Sequence, residues 1–420
     1  MDFLTLIFSK AFSIFMALVA LLGFNMPGRT AEIKDSEKKT NYDYVFVCGF
    51  WGWGEYDEAN KTLPYWGFFT GDMMESMNKL GFSAHAATVD PVGSAWDRAC
   101  ELYAQLCGTM VDYGEAHSEK YGHERYGEDF SGKGLLESWN SEDKINIVSH
   151  SFGGPTCALF ASVLENGSDE EKAKTTDGSL SPFFEGGKGS WVYSVTALAG
   201  TFKGTTLVMN NQAVDDVMTS VKADVNSFLP GVGKMQKKAI SGVISAASKV
   251  LQFATSGEVA DPDTALYDMH PDNAKALFED IDTVDGVYYF TVPHCATKAS
   301  KDGKYQVGDL AVADPAFYPF SGILGRTDTV TAGGIVLDEK WQANDGIVNT
   351  YSEIAPEKEA YKEVGSAVSV SLAENGFEKG VYNVFETYNG SHMALMGNVL
   401  RPNKNALPYL LELMQMVNAL

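Results

Sequence analysis

A chain of 420 residues with 45% hydrophobic and 21% charged side chains is too apolar for a disordered polymer. Its length suits one large domain or two average ones. The formal charge of −23 excludes nucleic acid as a default partner, because phosphate binding needs clustered Lys and Arg.

The first forty residues differ from everything after them. Ala11 to Phe24, "AFSIFMALVALLGF", is an uncharged apolar run preceded by Lys10, and a polar stretch begins at Pro27. The run falls short of the ~20 residues that span a bilayer and matches the h-region of a secretory signal. Asp2 weakens the n-region and no small-x-small cleavage site follows, so a retained N-terminal membrane anchor is the alternative. Both imply export. Residues 1–40 are read as leader plus polar linker, and 41–420 as one domain.

Beyond the leader, "YDYVFVCGF", "FSAHAATVD", "KINIVSHS", "WVYSVTALAG", "GVYYFTVPH" and "GVYNVFETY" are short runs rich in β-branched and aromatic residues. They alternate with longer helical patterns, which predicts an α/β fold with a mostly parallel central sheet flanked by helices. Five cysteines, Cys48, Cys100, Cys107, Cys157 and Cys295, are too few and too scattered for a disulfide scaffold, so no essential disulfide is expected. In "DRACELYAQLCGTMV", Cys100, Tyr103, Cys107 and Met110 recur at helical spacing. Both cysteines are therefore predicted in the core, with a metal or redox pair as the less favoured alternative. The region 205–259 has no strand signal. Its "AISGVISAASKVLQFA" carries an apolar stripe from Ile240 to Ala254, readable as a core helix or as a mobile lid with a lipid-facing side.

The stretch "INIVSHSFGGPT" runs from a buried-strand pattern through Ser151 into a helical one ending at Asn166-Gly167. A nucleophile elbow needs small residues two before and two after the serine, because its turn brings strand and helix backbones together. Ser149 and Gly153 meet that need, although the first is commonly Gly. Those five residues alone fit a helix N-cap serine as well. A serine nucleophile also requires a general base and an acid that orients it, in the chain order Ser, acid, His. Of the downstream histidines, His270, His294 and His392, only His392 follows a late strand-like run and a turn, at Asn389-Gly390. Asp345, before Gly346 in "WQANDGIVNT", is a carboxylate at a turn, and spacing alone leaves other acids open. The oxyanion hole needs two backbone N–H groups. Phe152 supplies one, and the loop "VFVCGFWGWGEYD", with glycines around Phe50, supplies the other. The aromatics of that loop are candidate walls for an acyl chain or ordinary core residues.

Together these segments resemble the secreted staphylococcal and thermoalkaliphilic bacillus triacylglycerol lipases. From about Tyr44 onward the likeness rests on "GFWGWGEYD", "LPYWG", "WDRACELYAQLCGTMVDYGEAHSEKYGHERYG", "SHSFGG", "VLENGS", "SPFFEGG", "GTTLV" and "NDGIVNT". The resemblance implies an α/β-hydrolase fold with a helical lid, a triad of Ser151, Asp345 and His392, and oxyanion donors on the Phe50 and Phe152 backbone. It further implies a structural zinc ion (Zn2+) held by Asp97, His117, His123 and Asp268. Without it, "AHSEKYGH" is unpersuasive, since histidines six apart do not share a helical face and the spacing fits no finger pattern.

Three departures stand out. The family's calcium site uses acids shortly after the catalytic histidine, but "MALMGNVLRP" follows His392, so calcium binding is expected to be absent or much weakened. Cys48-Gly49 replaces His-Gly before the first oxyanion residue, and Phe152 replaces the usual Gln. "TFKG", Thr201 to Gly204, replaces Pro-His-x-Gly, and the sequence gives no physical account of that change. The expected function is an exported lipase acting on lipid esters at an oil-water interface. The alternatives are a carboxylesterase on short soluble esters and a non-catalytic cell-surface binding module on the same fold.

Overall fold

The computed structural model describes residues 38–67, 70–210, 262–397 and 401–420. The leader and the amphipathic run of the expected lid lie outside the described residues.

Seven parallel strands form the central sheet: β1 Asp43–Val47, β2 Ala84–Ala87, β3 Ile145–His150, β4 Val192–Leu198, β5 Tyr288–Val292, β6 Tyr361–Glu363 and β7 Tyr382–Val384. Their order is β6-β7-β5-β4-β3-β1-β2, with every pairing parallel. Six match the apolar runs of the sequence. The seventh, β6, reads "YKE" with all three residues exposed, so it has no apolar pattern to reveal it and lies at a sheet edge. Register places Val47 beside Ser149, and Ser149 beside Ala197. The loops leaving the C-terminal ends of β1, β3 and β4 therefore emerge together, as open α/β sheets require of a site.

Six helical elements position the site: α1 Ala95–Cys107, α2 Glu115–Tyr121, α3 Gly153–Asn166, α4 Asp169–Lys174, α5 Ala265–Asp268 and α6 Ala406–Asn418. α1 begins at Ser94, whose side chain accepts the Asp97 N–H, and ends at Gly108 in the left-handed region. That end corrects part of the cysteine expectation. Cys100 is buried, but Cys107 is exposed. The helix stops at Cys107, and Met110 starts an extended segment with 47% exposure, so the helical spacing does not continue that far. α3 closes as expected, with the Gly167 N–H donated to Val163 and φ of 71°. The hydroxyl of Tyr44 on β1 donates to the Met414 carbonyl, fastening α6 to the sheet.

All six residues of β3 are buried, as a central parallel strand covered on both faces demands. Burying Ile145, Ile147 and Val148 contributes about 1.5–3 kcal/mol each. That exceeds the ~1–2 kcal/mol an L-residue costs in the left-handed region, so packing can hold a strained turn at the strand's end.

Candidate active site and metal centre

That turn is Ser151, which has φ of 56°. Its N–H donates to Leu198 at 3.0 Å and its carbonyl accepts the Gly154 and Thr201 N–H groups at 2.9 and 3.2 Å, so the backbone is pinned on both sides. The small-residue requirement is visible around it. A Cβ on Gly153 would meet the carbonyl oxygens of Val47 and Cys48 at 2.8 Å, and one on Gly49 would meet the Ser151 Cβ at 2.6 Å. Ser149 fits where glycine is usual because its hydroxyl turns back to the Thr196 carbonyl, 3.1 Å away.

Beside the elbow runs the loop after β1. Phe50 and Phe152 offer backbone N–H groups that have no acceptor among the described residues. Their direction follows from Arg98 of α1, a fully buried side chain that the sequence reading missed. Its guanidinium donates to the carbonyls of Cys48 at 2.5 Å, Asp90 at 2.7 Å and Gly49 at 3.4 Å, and to Thr156 Oγ1 at 3.2 Å. In a trans peptide the C=O and the following N–H point opposite ways. Turning the Gly49 carbonyl toward Arg98 thus turns the Phe50 N–H away from it. Cys48 is sealed in this layer, and burial raises its thiol pKa to about 11; it is a core group and no nucleophile.

The two other expected triad members come together. His392 Nδ1 lies 2.5 Å from Asp345 Oδ2, and the His392 N–H donates to the Asp345 carbonyl at 3.1 Å. Asp345 Oδ1 accepts the N–H groups of Ile347 at 3.0 Å and Val348 at 2.8 Å. Burial works to raise the Asp345 pKa, but His392 and these donors outweigh it and hold the carboxyl below its ordinary range. His392 packs on His150, the residue before Ser151, with ring centroids 4.6 Å apart.

A second polar chain links the His392 segment to the loop after β1. His150 Nε2 lies 3.0 Å from the His392 carbonyl. A carbonyl only accepts, so Nε2 carries the proton and Nδ1 accepts from the Tyr65 hydroxyl at 2.5 Å. The Tyr65 oxygen in turn accepts the Gly49 N–H at 3.1 Å. Burial, followed by the neighbouring His392, drives the His150 pKa well below its usual value, so this chain stays neutral. No sequence spacing links residues 65, 150 and 392; "LPYWG" and the His of "SHSFGG" were signals without an assigned role.

In "TFKG" the Phe and Lys each have a structural role. Phe202 packs against Phe278 and Tyr382 in the core. Lys203 Nζ donates to the carbonyls of Tyr351 and Ala355, and burial lowers its pKa to about 8. The lysine therefore braces the segment following Asp345. After His392, the guanidinium of Arg401 donates to the carbonyls of Leu310 at 3.0 Å and Ala311 at 2.6 Å, and its N–H donates to Asp314. A covalently attached cation ties these two segments together.

A separate cluster gathers beside α1 and α2. One ligand atom each from Asp97, His117, His123 and Asp263 falls within 4.8 Å of the others. The structure corrects the fourth expected ligand: Asp263, rather than Asp268, joins the cluster. Asp268 Oδ2 instead accepts the Ala95 N–H at 2.8 Å, satisfying an orphan donor of the first turn of α1. A bridge between Gly93 and Thr264, with the Ala265 N–H donated to Val92, brings Asp263 alongside the start of that helix. "DPDTALYD" offers three aspartates, and only this pairing selects among them.

The donor set fits a metal ion. His123 Nδ1 faces the Glu124 carbonyl at 2.9 Å and so carries the proton, leaving a lone pair on Nε2, 3.2 Å from Asp263 Oδ2. A proton on Nε2 or a metal ion between the two atoms satisfies both. His117 Nε2 lies between carboxylates, 3.1 Å from Asp97 and 3.2 Å from Asp263. Burial lowers the His117 pKa, but the two carboxylates overcome it and raise it to about 9. Outer groups fix the ring: Glu171 accepts the Ala116 and His117 N–H groups, and Trp96 stacks on the imidazole with centroids 5.3 Å apart.

With this geometry in place, residues 40–400 match the family model described as "Lipase-like, C-terminal domain". The chain is 30% identical over 372 residues to Lipase 2 of Staphylococcus aureus, covering 85% of this chain and 50% of that protein. It is 31% identical over 379 residues to a lipase of Staphylococcus hyicus, covering 87% and 55%. The chain thus spans about half the length of the curated relatives it matches. Among solved structures, EstA from Clostridium botulinum superposes with a TM-score of 0.72 at 29% identity, covering 94% of this chain and 92% of that one. Lipase 1 from Pelosinus fermentans gives 0.69 at 30%, covering 90% and 99%. The Staphylococcus hyicus lipase gives 0.67 at 26%, covering 92% and 95%. The parallel sheet and its flanking helices are those of the α/β-hydrolase fold.

Proposed function

Because the chain belongs to the lipase-like C-terminal-domain family, we propose that it is an exported serine hydrolase that cleaves carboxylic esters of lipids, foremost triacylglycerols. The observation that carries this reading is the 2.5 Å contact between His392 and Asp345, seated against the residue that precedes a left-handed Ser151. Ser151 Oγ attacks the ester carbonyl while His392 Nε2 takes its proton. Asp345 holds Nδ1 protonated and faces the imidazolium that forms. The Phe50 and Phe152 N–H groups bind the oxyanion. Collapse expels the alcohol, protonated by His392, and leaves an acyl-enzyme; His392 then activates a water that releases the fatty acid.

The test uses p-nitrophenyl esters from short to long acyl chains, below and above the concentration at which they form an interface, with labelling by an active-site phosphonate. Hydrolysis that rises with chain length and at the interface is expected. A preference for short, dissolved esters would instead assign a carboxylesterase. A folded protein that takes no phosphonate at Ser151 would leave the binding-module reading.

Zinc fits the second cluster best, since two imidazoles and two carboxylates make a closed tetrahedral set. It would fasten α1, α2 and the Asp263 segment together and enter no chemical step. Purified protein is expected to hold about one zinc per chain, measured by elemental mass spectrometry. Asp263→Ala should lose the metal. Asp268→Ala should keep it while losing about 0.5–2 kcal/mol of stability, the range for removing a helix-start acceptor. Equal metal loss in both variants would reject this assignment.

A further inference from the structure

Ester hydrolysis by the triad leaves one group beside Asp345 unused. Glu353 ends the turn Thr350–Glu353 and its side chain is fully buried. Its Oε2 accepts the His294 N–H at 2.5 Å, while its Oε1 finds no donor among the described residues. Asp345, Glu353 and His392 each bring one side-chain N or O atom within 4.8 Å of the others.

Two carboxyl groups and one imidazole in so dry a cluster cannot both be carboxylates at neutral pH without a large penalty. The allocation of the proton follows from the donors. Asp345 has two N–H donors on one oxygen and the His392 ring on the other, whereas Glu353 has a single N–H. Asp345 keeps the charge and Glu353 keeps the proton. Burial, and then the charge of Asp345, push the Glu353 pKa well above the carboxylate range. A buried O–H needs an acceptor, and Asp345 is the carboxylate that shares this cluster.

The other titratable groups around the cluster are neutral or turned elsewhere. His294, whose Nδ1 lies 3.0 Å from the Val292 carbonyl and 3.9 Å from Glu353, has its pKa lowered by burial to about 4. The Cys295 thiol faces Thr297, His150 is held by Tyr65 and the His392 carbonyl, and Lys203 is bound by the Tyr351 and Ala355 carbonyls.

We propose that Glu353 is a positioning residue: a buried, protonated carboxyl that donates a hydrogen bond to Asp345 and so sets how much negative charge the aspartate presents to His392. The proton stays on Glu353 through the cycle, and Glu353 touches no substrate. Drawing charge out of Asp345 weakens its hold on the imidazolium, which keeps the base free to lower pH. This inference rests on the triad reading above.

The test compares the parent, Glu353→Gln and Glu353→Met by the pH profile of kcat/KM on a soluble ester and by NMR titration of the His392 ring, assigned with His392→Ala. Gln keeps a donor toward Asp345 and an acceptor for His294, so its acid limb should stay within about 0.3 pH unit of the parent. Met removes the donor, so its acid limb and ring titration should move up by about 0.5–1 unit. An ionised Glu353 predicts the reverse, a downward shift of about a unit in Gln. A role in packing alone predicts altered stability with no movement in either variant. Any ordering other than Met above Gln overturns the proposal. Absence of Ser151-dependent hydrolysis in the parent would instead sink the triad reading, while the NMR titration would still report the coupling.

Discussion

Ser151→Ala is expected to reduce kcat/KM on p-nitrophenyl esters by at least about 10⁴-fold, with KM nearly unchanged. Removing a triad nucleophile elsewhere costs of that order or more, and the remnant over water comes from the oxyanion donors and binding. The substitution should not disturb the fold, because the Ser151 backbone is held by Leu198, Gly154 and Thr201 and these bonds remain. Ser151→Gly separates strain from chemistry. It should be equally inactive yet more stable by about 1 kcal/mol, since glycine tolerates φ of 56°. Thermal unfolding and steady-state rates measured on both variants check this. Hydrolysis above a tenth of the parent rate in Ser151→Ala would identify the serine as a turn residue.

Asp345→Asn should cost about 10³–10⁴-fold in kcat with a smaller change in KM. An amide nearly preserves the shape and can still accept the Ile347 and Val348 N–H groups. It also lets His392 take the wrong tautomer, with Nε2 protonated and unable to serve as base. The imidazolium loses its counter-charge, so the acid limb of the residual activity should move to lower pH. Stability should respond in a defined window. The depressed pKa of Asp345 contributes stability that is present above the unfolded value near 3.9 and lost as pH falls through the folded value. The parent should therefore lose more stability than Asp345→Asn on acidification. A rate within tenfold of the parent would show that another acid orients His392.

Much of this was legible in the sequence because the relevant signals are local. Six strands announce themselves as β-branched runs, and the elbow shows as strand, serine and glycines within twelve residues. Chain order leaves His270, His294 and His392 as candidate bases, of which only His392 follows a late strand-like run and a turn, while Asp345 needed the family likeness to stand out from other acids. What stayed hidden is set by contacts between distant segments. Arg98 reads as one charged residue on an amphipathic helix, yet it is fully buried under residues 48 and 49. Tyr65 and His150 acquire their roles only when the loop after β1 meets the segment carrying His392. Asp263 and Asp268 are the same residue type, five positions apart. The pairing of residue 93 with 264 decides between them, and no periodicity encodes it.

The buried Arg98 also divides the molecule electrostatically. Its four partners are three carbonyls and a hydroxyl, so its charge is met by dipoles under the loop that bears the Phe50 N–H. The chain carries a formal charge of −23, and physiological salt screens the field of exposed charges within about 8 Å. A dry guanidinium is screened far less. Raising ionic strength should thus relax repulsion between this acidic protein and an anionic interface while leaving the polarity of the loop that bears the Phe50 N–H intact.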